Sequence, residues 1–224
     1  MKNPAMLMTL LFLAAPLPVL ATLTPCTDSE IMVEAEEAAC KSVCDAVHIG
    51  DTFLTSIGLQ QSGSLSITLF KELPRNGQHH SVGYYDSRSN EIRLMDYEAT
   101  LSASRKSPPA FGVLMSPAIW RSYIIHELAH AAAQKKFASG VSIHTASEYI
   151  ASVAQLATLP SSEREEMLRN YPELSGFDKP EEITMAFYML DPSKFSINAY
   201  LHYSKPENGL LFIKRLLREG LSDN

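Results

Sequence analysis

Residues 124–134 read IIHELAHAAAQ, and within them His126, Glu127 and His130 follow the order H-E-x-x-H. On a helix, positions i and i+4 lie one turn apart on the same face, so both imidazoles can reach one ion. The intervening Glu127 then points to the adjoining side, where a carboxylate can take a proton from water held by that ion. Two neutral nitrogen ligands beside a general base is the chemistry of metal-assisted hydrolysis. The flanks suit it. Ile124, Ile125, Leu128 and the alanines at 129 and 131–133 make an apolar surround, and charge returns only at Lys135 and Lys136.

A third ligand must come from elsewhere. Downstream, HTASEYIASVAQ opens a new helix and offers His144 and Glu148. Thr145 and Glu148 also have the spacing of a capping box, in which Glu148 would only close the start of that helix. Both residues stay in view as ligands.

The elements that must position these groups can be read from pattern. Residues 28–59 follow a helical period that ends at Gly58, and predict one long helix. SLSITLFKEL (64–73) alternates as a strand, and SVGYYDSRSNEIRLMDY (81–97) reads as two short strands around a polar turn at 87–90. Residues 98–115 read as a linker. Ser116 and Pro117 then supply an N-cap and a first-turn proline, so the HELAH helix should start there and run to about Phe137. Further helices are expected at 145–159, 161–170, 180–190 and 206–219. The fold class is α+β, with a small antiparallel or mixed sheet followed by a mainly helical half. The expected division is a signal peptide at 1–21 and one domain at 22–224, its helix and sheet at 22–110 and its helical part at 111–224.

Residues 1–21 combine a lone Lys2, a short apolar run broken by Pro16 and Pro18, and small residues before a cut after Ala21. The run is short for a membrane span, so a cleaved secretory signal is expected, with no stable membrane anchor afterwards and a periplasmic or secreted location. The chain has 19 basic and 25 acidic residues, and no basic stripe suited to phosphates. Nucleic acid is therefore not an expected partner. Cys26, Cys40 and Cys44 allow at most one internal disulfide. A long helix from residue 28 would put Cys26 and Cys40 several turns apart, and the pairing stays open. The adjacent His79 and His80 lie in a polar loop and read as solvated.

The order of strands, HELAH helix and a following helix carrying Glu148-Tyr149-Ile150-Ala151 resembles the gluzincin branch of the HExxH zinc metallopeptidases. It is also similar to exported bacterial proteins with this layout. The resemblance covers about residues 64–159, and HELAH is its one sharp motif. The metzincin pattern is excluded, since Lys136 stands where that family has its third histidine and Ala133 where it has glycine. The gluzincin resemblance implies a zincin-like fold, one Zn2+ on His126, His130 and Glu148 (His144 being the rival), and Glu127 activating a zinc-bound water against peptide bonds. It also implies that the hairpin gives an edge strand along the cleft, able to pair with an extended peptide or protein substrate. Thermolysin-like members carry an acid four residues after the glutamate ligand, where this chain has Ser152. Oxyanion donors are sought in FSINAYLHYSKPENG, with Tyr200 and His202 as the choices. Two other readings remain: an inactive zincin-fold binding or sensor protein of the cell envelope, and a metal-free structural domain.

Overall fold

The computed structural model describes residues 22–27, 29–72 and 82–221. The expected signal segment at 1–21 and the histidines at 79 and 80 lie outside the described residues. The chain opens with strand β1 (Thr22–Pro25), β2 (Ile31–Ala35) and helix α1 (Glu37–Ser56). The single helix expected over 28–59 is thus a strand followed by a helix. Ile31, Val33 and Ala35 are buried in alternation, and that period of two governs until the helical run begins. The expected stop is present, for Gly58 follows α1 with a φ of 81°.

Strands β3 (Leu65–Phe70), β4 (Gly83–Asp86) and β5 (Glu91–Met95) complete a mixed five-stranded sheet of order β1-β2-β3-β5-β4. β2, β3 and β5 run parallel, while β1 and β4 are antiparallel edge strands. The two parallel pairings make it the mixed sheet of the two alternatives expected. The hairpin itself forms, with Tyr85 opposite Ile92 and Asn90 at a φ of 52° in its turn. At Gly83 a Cβ would stand 2.6 Å from Leu94 Cδ1 and 2.9 Å from the Arg93 carbonyl oxygen, so this edge position has no room for a side chain.

The remainder is helical: α2 (Tyr97–Ser104), α3 (Pro117–Gln134), α4 (His144–Ala157), α5 (Ser161–Arg169), α6 (Met185–Leu190), α7 (Pro192–Ser204) and α8 (Gly209–Glu219). α2 occupies part of the expected linker, started by Asp96, whose carboxylate accepts from Ala99 N–H. α6 is shorter than the helix expected at 180–190, because residues 183 and 184 are extended or cap it. α7 falls where no helix is expected. Ser116 caps α3 as its position predicts, accepting from Ile119 N–H at 3.1 Å.

α3 runs through the middle of the molecule, packed between α1 and α4, and the Trp120 indole N–H donates to the Met95 carbonyl at the end of β5. Its alanines allow close approach, and on α1 the partner is Gly50, where a Cβ would stand 3.0 Å from Leu128. Val33, Ile67, Ile92 and Leu94 of the sheet join Val43, Val47 and Leu54 of α1 and Ile124 and Leu128 of α3 in one core. Side chains on the third and fourth turns of α3 are thereby held against a rigid frame. Cys26 pairs with Cys44, their Cα atoms 5.3 Å apart, tying the end of β1 to α1 and leaving Cys40 as a buried free thiol.

Candidate metal centre

His126 and His130 project from α3 at one-turn spacing, and their Nε2 atoms lie 3.1 Å apart. Glu148 projects from the second turn of α4, with Oε2 3.4 Å from His126 Nε2 and Oε1 3.6 Å from His130 Nε2. Helix α4 begins at His144 after Ile143 and takes no side-chain cap, so the capping-box reading of Glu148 is not what the fold uses. His144 lies at the exposed rim of the cleft and outside the cluster. Among the described residues, His126, His130 and Glu148 form the group that could hold a metal ion.

The donor set fits a four-coordinate ion. Ligand atoms about 2.0–2.2 Å from a tetrahedral zinc stand roughly 3.3 Å from one another. The two imidazole nitrogens stand near that value and each lies near it from one of the two Glu148 oxygens, so that one ligand atom from each residue falls within 4.8 Å of the others. Glu148 Oε2 is also a buried oxygen with no hydrogen-bond partner. Such an atom is costly unless something else satisfies it.

Both imidazoles are held from behind. His126 Nδ1 lies 3.1 Å from Gln155 Oε1, and His130 Nδ1 lies 2.7 Å from Ser147 Oγ. Both supports come from α4, the helix that carries Glu148. Ser152 faces α7 instead, at 3.0 Å from Ser196 Oγ.

The charges follow from this geometry. In the metal-free protein, burial opposes a charge on His130, but the Glu148 carboxylate outweighs it and raises its pKa to about 9. Burial likewise opposes the charge on Glu148, and there the two imidazoles prevail, holding its carboxyl far below the usual range. Glu127 is buried beside them. Burial raises its pKa, with Glu148 adding to the rise, while the imidazoles and a hydrogen bond from the Tyr85 backbone N–H pull against it.

The centre opens into a cleft of about 420 Å³. Its lining includes β4, from Gly83 to Tyr85, and α6, through Met185 and Tyr188. The Tyr188 phenol hydrogen-bonds to Glu148, and its pKa is raised by burial and by the charge of Glu148, so it stays a donor at neutral pH. Tyr188 was not among the residues singled out by sequence; it comes from a short helix late in the chain, placed by packing against α4 and α7.

Tyr200 and His202, expected as oxyanion donors, do not line the cleft. Tyr200 packs in a second apolar cluster under Arg164, whose guanidinium lies 5.5 Å from its ring centre. His202 is buried, with Nδ1 2.6 Å from the Tyr149 hydroxyl and its ring against Phe212. Both are on α7, which packs against α4 through pairs such as Ser152 with Ser196 and Tyr149 with His202.

Residues 31–222 match the family described as "Family of unknown function (DUF6639)", and the chain belongs to it. No curated protein and no solved structure matches the chain.

Proposed function

We propose that this member of the DUF6639 family is an exported zinc-dependent peptidase with a gluzincin-like site. The observation that carries the reading is the convergence of His126 Nε2, His130 Nε2 and a Glu148 carboxylate oxygen within 4.8 Å of one another, with the Glu127 carboxylate beside them. His126, His130 and Glu148 would hold the ion. Zinc, when bound there, supplies a Lewis acid that acidifies water and polarises a carbonyl.

The chain's own groups do the rest. Glu127 takes the proton of the attacking water, and burial, which raises its pKa, makes its carboxylate a stronger base than an exposed one. The Tyr85 N–H fixes which way that carboxylate turns. Tyr188, a neutral donor lining the cleft beside Glu148, would turn its hydrogen from Glu148 to the oxygen that gains charge as the carbonyl is attacked. β4 is an edge strand of the sheet and lines the cleft, which supports an extended polypeptide as substrate. A metal-binding protein with no reaction to perform has no use for a buried carboxylate at 127.

Export is supported by the Cys26–Cys44 disulfide, a bond that persists in oxidising compartments. Among the described residues no helix is long and apolar enough to cross a membrane. The test of the function is cleavage of a diverse peptide library by the zinc-loaded protein, with Glu127→Ala as control. Cleavage that disappears in the control supports the reading. No cleavage by a protein that holds zinc overturns the peptidase assignment.

A further inference from the structure

We infer that Gln155 fixes His126 as the Nδ1–H tautomer, with Nε2 bare and aimed at the centre before any metal arrives. The assignment starts at Ser122. Its hydroxyl lies 2.7 Å from the Ile119 carbonyl, and the single hydroxyl hydrogen is committed there. The Ser122 oxygen, 3.3 Å from Gln155 Nε2, can then only accept. The nitrogen end of the Gln155 amide therefore faces Ser122, and the oxygen end faces His126 Nδ1 at 3.1 Å. An amide oxygen donates nothing, so the hydrogen between them belongs to Nδ1. A neutral imidazole with its hydrogen on Nδ1 has its lone pair on Nε2, the atom that faces His130 and Glu148.

The opposite orientation would turn an Nε2 hydrogen toward Glu148 Oε2, 3.4 Å away, but it fails at the Ser122 end. A flipped amide would set Oε1 against a hydroxyl oxygen whose hydrogen is spent, and would put the imidazole hydrogen on Nε2, inside the centre. Ser122, Gln155 and His126 are 2%, 3% and 8% exposed, so water does not satisfy the displaced groups. Gln155 also follows Glu148 by two helical turns, which puts both on one face of α4. One helix thus supplies a ligand and the group that orients another ligand. Where ligand histidines commonly lean on a carboxylate, this centre uses a neutral amide, which orients the ring without adding negative charge behind it. Gln155 is a positioning residue, acting through His126.

The purpose assigned to Gln155 rests on the metal reading above, whereas its effect on the His126 tautomer does not. The test uses the metal-free chain labelled with 15N, with imidazole spectra recorded at alkaline pH, and zinc affinity measured by competition with a chromophoric chelator. His126 is expected as Nδ1–H in the wild type. Gln155→Leu is expected to lose the preference and to bind zinc about 10- to 100-fold more weakly, while Gln155→Glu, which keeps the acceptor, binds at least as tightly as wild type. Should Gln155→Leu fail to fold, Ser122→Ala leaves Gln155 in place and frees its amide, and a several-fold loss of affinity is expected. His126 found as Nε2–H in the wild type, or zinc affinity unchanged in Gln155→Leu or, where that variant does not fold, in Ser122→Ala, overturns the inference. If the wild type takes up no zinc, the metal reading falls and the imidazole spectrum alone decides the role of Gln155.

Discussion

His126 Nε2 and His130 Nε2 stand 3.1 Å apart, a distance at which two bare lone pairs repel and at which either a shared proton or a shared cation holds them together. In the metal-free protein the proton belongs to His130, whose pKa is raised to about 9 by Glu148 against the cost of burial. Metal and proton therefore compete for one place.

Zinc added to the metal-free protein at neutral pH should release about one proton from His130, and the apparent affinity should climb about tenfold per pH unit until it levels near the His130 pKa. Titration calorimetry in buffers of different ionisation enthalpy counts that proton. In Glu148→Gln the carboxylate that raises the His130 pKa is gone, and release at neutral pH should shrink. Zinc uptake with no proton release would mean that His130 is already neutral.

The same pair shapes the stability of the metal-free protein. The raised pKa of His130 contributes stability that is complete below its ordinary 6.5 and is lost as pH rises through about 9. The depressed pKa of Glu148 contributes stability that is complete above its ordinary 4.5 and is lost as pH falls below it. Denaturant unfolding should show this contribution at its greatest between those two ordinary values, and Glu148→Gln should flatten both slopes.

Tyr188→Phe should lower peptide turnover by about 10²- to 10³-fold with zinc content unchanged, the loss expected of one oxyanion donor. Tyr200→Phe, away from the cleft, should leave turnover within about twofold of wild type, as befits a residue outside the site. Equal losses in both variants would remove Tyr188 from the role assigned to it.

Replacing Cys26 and Cys44 by serine opens a loop with a sequence separation of 18 and should cost about 3 kcal/mol of unfolding free energy. The same loss should follow reduction of the wild type. Cys40 is free and buried, so Cys40→Ala should leave the sensitivity to reductant intact.

Local signals made the HELAH helix legible. Ser116-Pro117 announces the start of α3, and the fixed spacing of His126, Glu127 and His130 carries its own geometry. The alternation around the turn at 87–90 gave the hairpin for the same reason. β2 was hidden because Ile31-Met32-Val33-Glu34-Ala35 runs straight into a helical stretch, with no turn residue to mark the change of period. Tyr188 carries no spacing rule relative to HELAH, since its place depends on how α6 packs on α4. Tyr200 and His202 had suitable chemistry, but the packing of α7 directs them into the core. Gln155 was within reach of a helical reading, as it sits two turns beyond Glu148 on one face.

Metal content tests the centre most directly. Mass spectrometry on protein lacking residues 1–21, prepared without chelator and offered zinc, should find about one zinc per chain, the stoichiometry of a three-ligand site. His126→Ala and Glu148→Ala, folded by circular dichroism, should hold none. A wild-type protein that takes up no zinc under those conditions would contradict the account, and the HELAH helix would then be a core helix with buried histidines.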